Sequence, residues 1–332
     1  LVFLLVGGNL STRFSKKRVL QVLILIWMAA LALFAFTSNY TVLLIGMALA
    51  LGSSTLLNTT MNLITPLLFA TAPGFFVNFL FFTQEIGTSG SQYILGSHAD
   101  GFAFWQHTNL VLLILGAVAF VLLLFCNVPE EAAAPADAPA QKGGYDWRII
   151  VPYVLVFGFY FIAEHGVMNW MVAYGVDGLG LPQASAAKYL SVFFGGMMIG
   201  RLCLSPLVDK LGALKSLAAF GGVSCVLYLI GSLGGAVTMP VWAISGLSFS
   251  ILYPTLVMSI RLYFPAQQVS GAAGTILSIA SLADILFNVG FGKLVDMTGY
   301  AVSIRVLPLS ALAFFIVFML FTKFCKPTQK LK

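Results

Sequence analysis

The chain has 332 residues, of which 60% are hydrophobic and only 8% are charged. A soluble domain carries roughly a quarter charged residues, so this composition excludes a soluble globular protein and indicates a chain embedded in lipid. The formal net charge of +6 comes from basic residues in loops and in the tail. That distribution is typical of membrane orientation and does not predict nucleic acid as a partner.

Apolar segments of about membrane-spanning length, roughly twenty residues, follow one another along the chain and are separated by Pro, Gly and polar clusters. We predict eleven of them, at 1–10, 19–37, 40–68, 74–97, 108–128, 148–175, 184–208, 213–234, 237–264, 268–295 and 301–325. The first is too short to span a bilayer, and the chain starts at Leu1 rather than Met. We therefore expect that the true N-terminus and one complete helix precede this sequence.

One polar stretch divides the apolar segments into two groups. Residues 129–146 read PEEAAAPADAPAQKGGYD and are rich in Pro and Ala. Such a segment cannot bury itself and predicts a linker. Five apolar segments precede it and six follow. We predict an N-terminal bundle at 1–128, a linker at 129–147 and a C-terminal bundle at 148–332.

The basic residues are distributed unevenly between the two sides of the predicted membrane. Thirteen lie in alternate loops and in the C-terminal tail, whereas three (Lys188, Lys293 and Arg305) lie on the opposite side. Because Lys and Arg are retained on the cytoplasmic side, the linker and the C-terminus are predicted to be cytoplasmic. We expect a multi-pass integral protein of the plasma (inner) membrane.

A short turn recurs between the apolar segments. It reads GNLSTRFSKKR at 8–18, SPLVDKLG at 205–212 and GKLVDMTG at 292–299. A repeated turn in a membrane-sized pattern indicates a duplicated helical unit. Duplicated units are typical of transporters, in which two repeats rock around a central site.

These features resemble the major facilitator superfamily, in which the second helix is followed by the turn G-x-L-x-D-R-x-G-R-R. Thr12 and Ser15 stand where the family has its Asp and its second Gly. The residues that match are Gly8, Leu10, Arg13, Lys16 and Lys17 in the first half, with Gly200, Arg201, Asp209, Lys210 and Gly212 in the second.

The resemblance implies an all-α membrane fold of twelve helices in two pseudo-symmetric bundles. Eleven of the twelve are expected here, with family helices 2–6 in the first bundle and 7–12 in the second. It also implies gating or structural roles for Arg13, Arg201, Asp209 and Gly212. The Arg201 side chain could alternatively reach the membrane interface or pair with Asp209. We expect Asp209 near the end of one helix, beside the start of the next.

Two stretches resemble the fucose-permease and sugar-symporter branch of this superfamily. One is NTTMN at 58–62, followed by Asn78 and by QEIG at 84–87; the other is YFIAEHG at 160–166, followed by Trp170 and Tyr174. These permeases place acids in their first and fourth helices, whereas the fourth helix here carries Asn.

Three acids, Glu85, Glu164 and Asp284, lie within apolar segments, where an ionisable residue is costly and is a candidate for function. We predict that they couple protons. Two of them lie on polar helix faces, Glu85 with Asn78, Ser89 and Gln92, and Asp284 with Ser278, Ser281 and Asn288. We expect the Glu85 face to line a central cleft. The structural alternatives are hydrogen bonds between helices for Glu85, and a pair with Lys293 for Asp284.

Amides and aromatic rings near these acids suit a hydroxyl-rich solute. The alternatives are contacts between helices for the amides and an interfacial aromatic belt for the rings. His165 is either an interfacial or a functional histidine. The predicted substrate-binding residues are Asn58, Asn62, Asn78, Gln84, Glu164, Asn169, Trp170, Tyr174 and Asn288.

The sequence lacks a Walker loop, HExxH, GxSxG and clustered Cys or His residues. It therefore predicts neither an enzyme nor a cofactor or metal site. We predict a monomeric secondary active transporter that moves a small polar solute, a sugar or polyol, by proton-coupled alternating access. The alternatives are a drug or metabolite/proton antiporter of the same fold, and a non-transporting membrane sensor or degenerate fragment.

Overall fold

The computed structural model describes residues 15–69, 73–98, 101–128 and 145–327. These residues form helices and turns, without a strand in any of the four described ranges. The ten long helical segments, numbered here in chain order, are α1 (Lys16–Phe36), α2 (Tyr40–Leu68), α3 (Pro73–Ser97), α4 (Phe102–Phe125), α5 (Trp147–Gly178), α6 (Gln183–Leu211), α7 (Ala213–Leu233), α8 (Gly235–Leu262), α9 (Ala266–Thr298) and α10 (Tyr300–Phe324).

The all-α prediction is confirmed, and nine of these ten segments are long and apolar enough to cross a membrane. The exception is α3, whose second half carries the polar residues between Thr83 and Gln92. The predicted segment 1–10 and most of the predicted linker lie outside the described residues. Asp146, at the end of that linker, caps α5 by accepting a hydrogen bond from the Arg148 amide.

Helix α4 begins at Phe102, six residues before its predicted start, and the first four added residues, 102–105, are apolar. The polar residues after them bond within the helix. The Thr108 hydroxyl donates to the Phe104 carbonyl at 2.9 Å, and the Asn109 amide donates to the Trp105 carbonyl at 2.8 Å. The sequence pattern missed the first turn because two polar residues, at 106–107, separate it from the predicted span.

Segment α8 is broken, whereas the sequence predicted one continuous helix. Its α-helical pieces are Met239–Ile244, Gly246–Phe249 and Leu252–Ser259, flanked by 3₁₀ turns. Ser245 and Ser250, beside the breaks, donate their hydroxyls to the carbonyls of Trp242 and Leu247. Hydroxyl bonds to the preceding turn compete with regular helix hydrogen bonds and bend helices.

Two of the recurring turns have the same backbone structure. Helix α6 ends at Gly212 with φ 81° and ψ 155°, and helix α9 ends at Gly299 with φ 75° and ψ 168°. Each glycine amide donates at 2.8 Å to the carbonyl four residues earlier, of Val208 or Val295. A positive φ is accessible to Gly at little cost, so the repeated Gly allows the next helix to start at once. Asp209 lies in the last turn of α6, as predicted.

The described chain forms two compact units by internal contacts. One comprises residues 15–69, 73–81, 98 and 101–128. In this unit α1 packs against α2 and α4, and its buried core includes Val19, Leu23 and Leu56.

The other unit comprises residues 82–97 and 145–327. Its core is aromatic and includes the fully buried side chains of Tyr153, Phe157, Tyr228 and Trp242. Helix α5 packs against α9 and α10 in this unit. The predicted division into bundles at 1–128 and 148–332 remains a prediction.

Candidate functional site

The buried acid of α3 forms an ion pair with α6. The Glu85 Oε1 atom lies 2.8 Å from the Arg201 guanidinium, and both side chains are largely buried. The Thr88 hydroxyl donates to the other carboxylate oxygen of Glu85 at 3.0 Å. The spacing of Thr88, one helical turn after Glu85, could have indicated this contact. The sequence did not predict Glu85 as the partner of Arg201.

Small residues bring the second half of α3 close to α6. Ser89 and Ser191 donate their hydroxyls to each other's carbonyl oxygens at 2.9 and 2.8 Å. Further along α3, a Cβ atom on Gly96 would lie 2.0 Å from the Cβ atom of Ala187. Glycine and serine permit such close helix approach within a membrane.

A second buried acid lies between α5 and α9. The Asp284 Oδ2 atom is 2.6 Å from His165 Nδ1, and Asp284 is buried whereas the His165 side chain is 39% exposed. The structural alternative for Asp284 was a pair with an Arg or Lys such as Lys293, but the structure pairs Asp284 with His165. The pair connects residues 119 positions apart in the chain.

The buried carboxylate of Glu164 interacts with residues of both ion pairs. Its side chain is buried and interacts with His165, Arg201 and Glu85. The buried Tyr160 hydroxyl also interacts with Glu164, although it has no hydrogen bond of normal geometry within the described ranges. The three predicted acids therefore belong to one electrostatic group, together with one arginine and one histidine.

Asn288 on α9 links Asp284 to two predicted substrate-binding residues of α5. The Asn288 Oδ1 atom accepts hydrogen bonds from the Trp170 indole at 2.9 Å and from the Asn169 amide at 3.1 Å. Its Nδ2 group donates to the Asp284 carboxylate at 2.9 Å and to the Asp284 carbonyl at 3.0 Å. We call this group, Asn169, Trp170, His165, Asp284 and Asn288, the α5–α9 polar cluster.

The other predicted site residues are dispersed. Tyr174 is buried against Trp242, with ring centroids 6.2 Å apart, while Trp170 packs on Phe291 at 4.9 Å. Gln84 is exposed on α3, and Asn58 is partly buried in α2 of the first unit. Asn62, Asn78 and Asp209 lie in helices, but their side chains are outside the description, as is the whole of Arg13.

The long apolar helices define a multi-pass integral membrane protein. The family model of the Major Facilitator Superfamily matches residues 1–282. The chain belongs to this superfamily, as its sequence features predicted.

Curated relatives resemble the chain at lower identity. A Brucella abortus (biovar 1, strain 9-941) glucose/galactose transporter is 27% identical over 319 residues, which cover 88% of this chain and 75% of that protein. A Helicobacter pylori (strain ATCC 700392 / 26695) protein proposed to transport glucose and galactose is 25% identical over 219 residues, or 66% of this chain. The match spans about half of the Helicobacter protein, 53% of its length.

Solved structures share the fold. The transporter FucP, in its outward conformation, aligns with a TM-score of 0.68 at 19% identity, covering 96% of this chain and 86% of that one. A POT family transporter bound to a peptide conjugate aligns with a TM-score of 0.77 at 12% identity, covering 97% of this chain and 85% of that one. At these identities the likeness shows the fold alone.

Proposed function

We propose that the protein is a secondary active transporter that carries a hexose together with a proton. The observation that carries this proposal is the α5–α9 polar cluster, in which amide and indole groups share hydrogen bonds with a buried carboxylate. Sugar hydroxyls donate and accept hydrogen bonds, so a paired amide such as Asn169 or Asn288 suits both roles. The face of Trp170 offers an apolar surface for the C–H groups of a sugar ring.

The relatives support a hexose as the solute. The Brucella protein is named a glucose/galactose transporter, and the match to it covers most of this chain. Another solved structure of FucP is described as that of the Escherichia coli fucose:proton symporter. Both names refer to sugars. Glucose, galactose and fucose are therefore the first solutes to test.

The buried acids support proton coupling. A carboxylate inside a closing, water-poor site is tolerated when it is paired or protonated, so closure and proton binding are linked. Glu85 is neutralised by Arg201 and the guanidinium remains charged, which favours a structural or gating role for this pair. Asp284 instead pairs with a histidine, His165, and it contacts Asn288, one of the proposed solute-binding residues. We assign the coupling proton to Asp284, with Glu164 as its buried neighbour.

Transport would proceed by alternating access of two helical bundles, without covalent chemistry. We place the protein in the plasma (inner) membrane as a monomer, with the linker and the C-terminus in the cytoplasm. The charge bias between loops supports this orientation.

The test is uptake of radiolabelled glucose, galactose and fucose into proteoliposomes, with and without an inward proton gradient. We expect one of the three to accumulate above its external concentration only when the gradient is imposed, and a protonophore to abolish the accumulation. Empty liposomes provide the control for leakage. Proton-driven efflux of a cationic drug, without hexose uptake, would overturn the proposal in favour of an antiporter.

A further inference from the structure

Asn288 both accepts and donates side-chain hydrogen bonds within the α5–α9 polar cluster. Its carbonyl oxygen receives the Trp170 and Asn169 donors, and its amino group is directed to Asp284. The two α5 donors therefore fix the amide orientation that presents the Nδ2 hydrogens to the carboxylate. If both α5 donors were lost, the Asn288 amide would be free to turn away from Asp284.

Exposure changes along this chain of hydrogen bonds. Asn169 is exposed, Trp170 and Asn288 are partly buried, and Asp284 is buried. Asn169 is the exposed end of this chain of hydrogen bonds, whereas Asn288 and the partly exposed His165 contact the Asp284 carboxylate at the buried end. The buried acid is thus separated from the accessible donors by a single amide.

We propose that Asn288 is the positioning residue that couples solute binding to protonation of Asp284. This inference rests on the proposed sugar–proton symport. A sugar hydroxyl oxygen would accept the Trp170 and Asn169 N–H groups, which releases the Asn288 carbonyl. The free amide would then turn to bond the sugar, and Asp284 would lose the hydrogen bonds from its Nδ2 group.

The sign of this coupling is that of a symporter. Hydrogen bonds donated to a carboxylate stabilise its charged form, so their loss favours binding of a proton. Solute binding therefore promotes proton binding, and by reciprocity a bound proton raises solute affinity.

Other charged groups on α9 and on the segments packed against it leave the direction of this coupling unchanged. His165 faces Asp284 from α5, with Glu164 next in the chain. The other segments packed on α9 carry Arg261, which is exposed, and Tyr300, which interacts with Asp177 and Asp296. On α9 itself the bonded neighbour is Asn288. Among the described residues, His165 and Asn288 each hydrogen-bond the Asp284 carboxylate. The two contacts are separate, so removal of Asn288 leaves the His165 contact in place.

The test compares Asn288→Leu, which keeps the side-chain size, with wild type and with Asn169→Ala. Galactose or glucose affinity is measured by calorimetry in detergent from pH 5.5 to 8.5. Proton uptake on sugar addition is followed with an indicator dye in weak buffer. For wild type we expect affinity to fall by up to about tenfold per pH unit as pH rises, with close to one proton bound per sugar.

The two variants should separate binding from coupling. Asn288→Leu should bind sugar more weakly, with an affinity independent of pH and without proton uptake. Asn169→Ala should also bind more weakly but retain the pH slope, because the Trp170 N–H still holds the Asn288 amide in place. Asn288→Ser, a smaller polar change, provides a second variant if the leucine variant does not fold.

The outcomes distinguish a failure of the role proposed for Asn288 from a failure of the proposed transport function. A pH slope and proton uptake unchanged in Asn288→Leu or Asn288→Ser overturn the role of Asn288 while leaving symport intact. Wild-type sugar affinity that does not vary with pH also overturns it. The same calorimetry is run with fucose, and wild type that binds none of the three hexoses overturns the proposed function and this inference with it.

Discussion

The Glu85 carboxylate on α3 and the Arg201 guanidinium on α6 lie 2.8 Å apart, with side-chain exposures of 9% and 13%. Glu164 also interacts with Arg201, so removing one partner of the pair leaves the other buried charge only partly compensated. A buried charge without compensation costs roughly 3–5 kcal/mol. We expect Glu85→Gln and Arg201→Gln each to lower the apparent melting temperature in detergent. The double variant should recover part of the loss, because it removes both charges of the pair.

The matched control for this prediction is Lys188→Gln, which removes one positive charge from an exposed position on the same helix, α6. It should melt close to wild type. Melting of Arg201→Gln at the Lys188→Gln temperature, or additive losses in the double variant, would show that the pair contributes little.

A comparison of Asp284→Asn with Glu85→Gln distinguishes the residue that carries the proton from a residue that stabilises the structure. Asparagine copies a protonated carboxyl but cannot release a proton. We expect Asp284→Asn vesicles to lose uphill sugar accumulation under a pH gradient while retaining exchange of labelled for unlabelled sugar. Glu85→Gln should transport more slowly and still accumulate sugar.

The sequence predicted Glu85 as a proton carrier together with Glu164 and Asp284, so the reverse result has a definite meaning. Loss of accumulation in Glu85→Gln, with accumulation retained in Asp284→Asn, would return the proton to Glu85. The contact with Arg201 is the reason for the present assignment, since the guanidinium compensates the charge of the Glu85 carboxylate.

The helices and the polar faces could be read from the sequence because both follow periodic patterns. The start and end predicted for α2, 40–68, are those of the structure. The face containing Asp284 and Asn288 follows from a spacing of four residues, and these two residues are hydrogen-bonded in the structure.

The partners across helices could not be read in this way. The His165–Asp284 pair joins residues 119 positions apart, and the Glu85–Arg201 pair also joins different helices. Such contacts depend on helix rotation and tilt, which packing sets and which a local pattern does not contain. The breaks in α8 were missed for a related reason, since serines that bond to their own helix look like any other polar residue.

The indole of Trp170 provides a further test of the α5–α9 polar cluster. Trp170→Phe keeps an aromatic ring against Phe291 and removes the N–H that bonds Asn288 at 2.9 Å. A single hydrogen bond contributes about 0.5–1.5 kcal/mol, so we expect KM for sugar to rise about two- to tenfold with a smaller change in kcat. Trp147→Phe, at the exposed start of α5, is the control. A KM equal in the two variants would contradict a role for Trp170 in binding.

Gly96 and Gly90 lie on the same helix, α3, and differ in what surrounds them. A Cβ atom at Gly96 would meet the Ala187 Cβ atom at 2.0 Å, whereas a Cβ atom at Gly90 has no heavy atom within 4 Å among the described residues. Gly96→Ala must therefore push α3 away from α6 and weaken the Ser89–Ser191 hydrogen bonds, lowering both the melting temperature and the transport rate. Gly90→Ala should be neutral or stabilising by up to about 1 kcal/mol, because Ala is the better helix former. Thermal melts in detergent and initial uptake rates in proteoliposomes measure both effects. Equal behaviour of the two alanine variants would mean that close α3–α6 packing is not needed for stability or transport.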